Sequence, residues 1–177
     1  MTSPTPTLET ERLILRGRTI ADFPAYAAIW AAPETQRYTT RAPVPTEEAW
    51  MKFMRMEGLW SLTGCGWWLV VEKTSGAVIG EVGVADFKRQ IVPSLDGMPE
   101  FGWMLAPASH GRGYAKEAVG AALRWSERKF RDATFCCLID DENTPSIRVA
   151  EAHGFHRAAI GRYKGTDVPI YLRTPRN

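Results

Sequence analysis

The chain has 177 residues, 45% of them hydrophobic, and a formal net charge of +2 at neutral pH with a pI of about 8.5. That length is read as a single domain over residues 1–177, with a core large enough to need no disulfide or metal staple. The near-balanced charge offers neither a basic field for nucleic acid nor a polybasic patch for a membrane surface. No apolar run approaches the ~20 residues that cross a bilayer.

Met1 to Thr10 carries Thr-Pro and Ser-Pro turn elements and no hydrophobic signal core, so residues 1–7 are read as a loose lead-in to the first strand. Thr19, with Asp22 three residues on, predicts a helix start, and Ile20 to Ala31 carries the pattern. Pro33, Pro43 and Pro45 then punctuate an extended connection. Thr46 is expected to cap a second helix, with Glu47 and Glu48 in its first turn. Trp50, Phe53, Met54 and Trp60 would form its apolar side, and Gly64 to Gly66 would end it. Trp67 to Glu72 and Ala77 to Phe87 read as a hairpin turning on Lys73-Thr74-Ser75-Gly76. Residues 88–99 are a polar, Pro- and Gly-containing loop, followed by a strand at Phe101 to Leu105 that Pro107 stops.

The next helix is the most regular. Ala115, Ala118, Val119, Ala122, Trp125 and Ser126 recur on one face, while Lys116, Glu117, Arg124, Glu127 and Arg128 take the other. A strand at Thr134 to Ile139 leads to a helix with Pro145 in its first turn and Gly154 at its end. Phe155 to Tyr163 and Val168 to Arg173 are the closing strands. Such an order, with an antiparallel first half, predicts a mixed α/β fold (α+β in some schemes) whose mixed sheet is covered on both faces.

Cys65, Cys136 and Cys137 make an odd count and read as reduced packing residues, which suits a cytoplasmic location. With no CxxC pair, three histidines and no HExxH, no metal is expected. Most of the seven tryptophans should be core; Trp67 and Trp68, adjacent on a strand, must face opposite sides, and one of them could wall an ammonium pocket.

The stretch Ser109-His110-Gly111-Arg112-Gly113-Tyr114-Ala115 opens the regular helix. The first turn of any helix leaves backbone N–H groups without partners, and two glycines keep side chains away from them, so an anion can approach. An ordinary glycine turn, capped by Ser109, is the plain alternative. The spacing is not that of a P-loop, which needs four residues between its glycines and a following Lys-Ser/Thr pair. Nor is it a dinucleotide fingerprint, since Lys116 occupies the third glycine's place.

This string resembles the acyl-CoA pyrophosphate loop of the GNAT acetyltransferase superfamily, Gln/Arg-x-x-Gly-x-Gly/Ala, at Gly113 and Ala115; His110 stands where Gln or Arg is usual. Three further segments resemble the RimJ/RimL-like branch, which includes ribosomal-protein N-terminal acetyltransferases. They are Glu9-Thr10-Glu11-Arg12-Leu13-Ile14-Leu15-Arg16, Glu100-Phe101-Gly102-Trp103-Met104-Leu105, and Asn143-Thr144-Pro145-Ser146-Ile147-Arg148-Val149 closing at His153-Gly154-Phe155. Together the matches run from about residue 8 to residue 163.

The resemblance implies a GNAT-like acyl-CoA N-acyltransferase fold, with a central mixed, mostly antiparallel twisted sheet flanked by helices on both faces, and an enzyme that moves acetyl from acetyl-CoA directly to a primary amine. That amine would belong to a small molecule or to a peptide or protein N-terminus, and the enzyme would be a monomer or homodimer. It implies that Met104, Leu105 and Ala106 pair with the pantetheine arm through backbone groups. His110, Gly111, Arg112, Gly113, Tyr114 and Ala115 would form the pyrophosphate loop, and Asn143 would bond the pantetheine amides or cap its helix. Glu100 is the candidate base, with Glu81 as an alternative, and an exposed or arginine-holding carboxylate as the plain reading of Glu100. Ala150 occupies the place where many members carry a proton-donating tyrosine, so Ser146 is the candidate group at the thiol. A non-catalytic acyl-CoA-binding module, a nucleotide-dependent oxidoreductase and an interaction protein of the same fold are the other readings.

Overall fold

The structure, a computed structural model, describes residues 5–39 and 41–175, so residues 1–4 of the expected lead-in lie outside them. Nine strands occur among the described residues: β1 (Leu8–Glu9), β2 (Leu13–Arg16), β3 (Trp67–Glu72), β4 (Val78–Ala85), β5 (Ile91–Val92), β6 (Glu100–Leu105), β7 (Phe135–Leu138), β8 (His156–Tyr163) and β9 (Thr166–Arg173). The helices are α1 (Phe23–Ala31), α2 (Pro33–Gln36), α3 (Thr46–Thr63), α4 (Tyr114–Lys129) and α5 (Thr144–Ala152). One sheet takes the strands in the order β1-β2-β3-β4-β6-β7-β9-β8-β5, and every pair is antiparallel except β6 with β7.

Strand alternation sends side chains to two cores. On one face Leu13, Leu15, Trp68, Val70, Val82, Val84, Phe101 and Phe135 pack against Ala118, Val119 and Ala122 of α4 and Ala150 of α5. Here Trp60, Trp68 and Trp125 meet edge to face, with centroids 4.7–5.3 Å apart. On the other face Leu69 packs with Tyr26 of α1 and Phe53 of α3.

Several local details differ from the sequence reading. The Pro33–Pro45 connection contains the single turn α2, because Pro33 suits a first helical position. Thr46 is the first residue of α3 rather than its cap; Pro45 precedes the helix and makes no capping bond. Met56 is buried on α3, whereas Met54 is 45% exposed. Residues 88–99 include the short strand β5, which pairs with β8 across a long sequence distance. Ser109 sits buried in a 3-10 turn, Pro107–Ser109, and does not cap α4.

Candidate active site

The parallel register of β6 with β7 is the single pair Glu100↔Cys136, and the Cys136 N–H donates to the Pro99 carbonyl at 3.1 Å. Beyond that point β7 follows β9, pairing from Phe135 to Leu138, and a cleft opens along β6. The Ala106 N–H donates to the Ile79 carbonyl at 2.8 Å, so Met104 and Ala106 turn their backbone groups toward β4. Leu105, of opposite parity, faces the cleft, where its carbonyl accepts a hydrogen bond from His110 Nε2 at 2.9 Å. Trp103 shares that parity. It is the cleft-lining backbone the sequence reading missed, although strand alternation alone would have paired it with Leu105.

After the 3-10 turn the chain passes Gly111 (φ 72°) and Gly113 (φ 78°), both in the left-handed region that favours glycine. A Cβ on Gly111 would meet nothing within 4 Å, and one on Gly113 would meet only Arg12 Nη2 at 3.5 Å. Gly113 precedes α4 without a side-chain cap, leaving the first-turn N–H groups for an anion. Tyr114 does not face that opening: it is 3% exposed, and its hydroxyl donates to Glu72, which also accepts from Arg112 at 2.9 Å. Ala115 follows as a small residue in the helix's first turn.

β7 runs parallel to β6, so its end and the start of α5 lie toward the same end of the sheet as Leu105. Asn143 Oδ1 accepts the Ser146 N–H at 3.2 Å and caps the helix, which holds Asn143 and Ser146 together at the start of α5.

Glu81, Gly83, Gly102, Met104, Glu100 and Cys136 share the sheet face that packs on α1 and α3. Trp67 lies across the two glycines: a Cβ at Gly102 would come within 2.5 Å of its Cη2 and Cζ2, and one at Gly83 within 2.4 Å of its Cγ. Trp68 is buried in the opposite core, so of the adjacent pair Trp67 is the one on this face, where Trp30 and Trp50 of the helices also pack.

Two carboxylates flank that ring. Glu100 is 8% exposed and bidentate with Arg89, at 2.5 Å to Nε and 2.7 Å to Nη2; Arg89 Nη1 also donates to the Tyr163 hydroxyl at 3.2 Å. The pair clasps the 88–99 loop to β6 and β8. Glu81 is 1% exposed and held more loosely, by Arg18 at 3.4 Å and the Tyr26 hydroxyl at 3.3 Å. Burial raises the proton affinity of Glu81 above the usual carboxylate range, against the pull of Arg18. Burial likewise pushes the Cys136 thiol up to about 12.

Residues 12–156 match the family of the acetyltransferase (GNAT) domain. The chain belongs to the GNAT acetyltransferase family. Among GNAT relatives, the N-acetyltransferase p20 of Bacillus licheniformis, described as uncharacterized, is 26% identical over 171 residues, which span 94% of this chain and 93% of the relative. The crystal structure of an acetyltransferase from Agrobacterium tumefaciens superposes with a TM-score of 0.82 and 29% identity, covering 96% of this chain and 95% of that one. RimL, the ribosomal L7/L12 α-N-protein acetyltransferase, shares the GNAT fold with a TM-score of 0.75 at 16% identity, over 97% of this chain and 95% of its own. The fold expected from the sequence is the one found. No described helix is long and apolar enough to cross a membrane.

Proposed function

We propose that this protein is an N-acetyltransferase of the RimJ/RimL-like type, which moves the acetyl group of acetyl-CoA directly to a primary amine. The observation that carries the reading is the cleft edge of β6 running into a glycine-opened, uncapped helix N-terminus. An extended amide-bearing arm fits the first feature and a pyrophosphate the second. Leu105 and Trp103 would pair with the pantetheine amides. The N–H groups from Gly111 to Ala115 would hold the pyrophosphate, with His110 fixing the loop to Leu105. Asn143 and Ser146 would stand at the thiol, where the Ser146 hydroxyl donates to the developing thiolate.

Transfer requires an amine freed of its proton. Both oxygens of Glu100, the base expected from the sequence, hold Arg89 through short bonds, which suits a group that fixes the 88–99 loop. Glu81 has loose partners and a raised proton affinity, so it is assigned as the base, working through water, and Glu100 as the residue that orders the acceptor side. The high thiol pKa of Cys136 supports direct transfer over an acyl-enzyme.

The test is free-thiol release from acetyl-CoA across small amines and peptide N-termini, with pH profiles for Glu81→Gln and Glu100→Gln. Loss of the acidic limb in Glu81→Gln supports the assignment, and its loss only in Glu100→Gln returns the base to Glu100. Tight acetyl-CoA binding with no turnover on any amine would favour the non-catalytic module, a reading motivated by Ala150 and His110.

A further inference from the structure

The Glu9-Thr10-Glu11-Arg12 segment takes no part in the chemistry above, yet it reaches the phosphate loop. Arg12 Nη1 donates to the Arg112 carbonyl at 2.9 Å, inside the loop, and Nη2 stands 3.5 Å from the position of a Cβ on Gly113. The same guanidinium holds Glu117 Oε2 between its Nε and Nη2, at 2.7 Å from each. The Arg12 N–H and the Thr10 hydroxyl also donate to Glu117 Oε1, at 2.9 and 2.6 Å. Arg12 and Arg112 both lie over the Tyr114 ring, 4.6 Å from its centroid.

Charge decides what this cluster is for. Arg12 and Arg112 are each paired with a carboxylate, Glu117 and Glu72, so neither guanidinium is left over for a second anion. The problem it solves is Glu117, a carboxylate in the first turn of α4 beside the proposed pyrophosphate site. Unpaired, that charge would repel the ligand and offset the attraction that the positive end of the helix exerts on it.

We infer that Arg12 is a positioning residue for cofactor binding: it sets the Arg112–Gly113 backbone and cancels the Glu117 charge beside the phosphates. The inference rests on the acetyl-CoA reading. Its two actions separate experimentally, because only the second depends on ionic strength and on Glu117.

The experiment is titration calorimetry with acetyl-CoA on the wild-type protein, Arg12→Ala, Arg12→Gln, Glu117→Gln and the Arg12→Ala/Glu117→Gln double variant. Measurements at low and high salt accompany thermal unfolding of each. Arg12→Ala is expected to weaken binding about tenfold or more, as for a lost charge-assisted hydrogen bond with a stranded neighbouring charge. The double variant should regain a large part of that loss, and added salt should narrow the gap between Arg12→Ala and wild type. If Arg12→Ala does not fold, Arg12→Gln, which keeps a donor for the Arg112 carbonyl but not the charge, is expected to show the salt-dependent part of the weakening. Binding within about twofold of wild type in the folded variants overturns the role of Arg12, and a double variant as weak as Arg12→Ala at every salt concentration overturns its cancellation of the Glu117 charge. Absence of binding by the wild type would instead overturn the acetyl-CoA reading.

Discussion

Replacing Gly102 by alanine puts one methyl group where the Trp67 indole lies. The added Cβ would stand 2.5 Å from both Cη2 and Cζ2 of the ring, well inside contact distance, so the indole or β6 must shift. Gly102 is not among the residues with positive φ, so alanine brings no backbone strain. The substitution even stabilises by about 0.4–1 kcal/mol through the unfolded chain. Overpacking costs about 1–3 kcal/mol. The net expectation is a loss of about 1–2 kcal/mol, or roughly 2–8 °C in Tm for a chain of this length. Urea unfolding should show a lower midpoint at an unchanged m-value. Trp67→Leu in the same background should be less destabilising than the two single losses added together, because the smaller side chain gives the methyl room. A Gly102→Ala protein as stable as wild type, with strictly additive losses in the double variant, would refute the packing argument. It would also remove Trp67 as the fixed floor between Glu81 and Glu100.

Three further outcomes follow from local chemistry. Gly113→Glu should abolish acetyl-CoA binding in a folded protein, since it adds bulk, a negative charge and a left-handed strain at φ 78°; calorimetry with retained affinity would contradict the loop assignment. Asn143→Ala should cost about 1 kcal/mol of stability through the lost cap of α5, read by thermal unfolding. Asp22 is bound by Arg16 and by the Thr19 N–H and hydroxyl, and although burial opposes it these bonds hold its carboxyl below the ordinary value of 3.8. A depressed folded pKa contributes stability above the unfolded value and loses it as pH falls through the folded one. Asp22→Asn should therefore be less stable than wild type at neutral pH, and the difference should shrink as pH falls below about 4.

Features of this fold that are set by neighbouring residues were legible in the sequence, and those set by distant residues were not. The α4 face, the glycines that open its N-terminus and the Asn143 cap each depend on spacing within a few residues. The hairpin at Lys73–Gly76 is local in the same way. By contrast, β5 is two residues long and exists because β8 lies beside it, more than sixty residues along the chain. The exchange of Met54 for Met56 on α3 depends on which part of the helix meets the sheet, and a weakly amphipathic helix does not declare that. Within the site, the acid opening β6 was visible, but its arginine sits in a loop with no periodic signal to announce the pair. The Arg12 contact with Arg112 spans a hundred residues, so nothing in either segment alone reveals it.

The measurement that bears most directly on the account is thermal unfolding of the wild-type protein with excess acetyl-CoA, beside matched excesses of NAD and ATP. A ligand at a hundredfold excess over its dissociation constant contributes about 2.7 kcal/mol, which in a domain of this size raises the Tm by roughly 5–10 °C. The β6 cleft and the α4 N-terminus predict that rise for acetyl-CoA and not for the two controls. A folded protein whose Tm does not move with saturating acetyl-CoA, or moves equally with NAD, would contradict the claim that this site is built for an acyl-CoA.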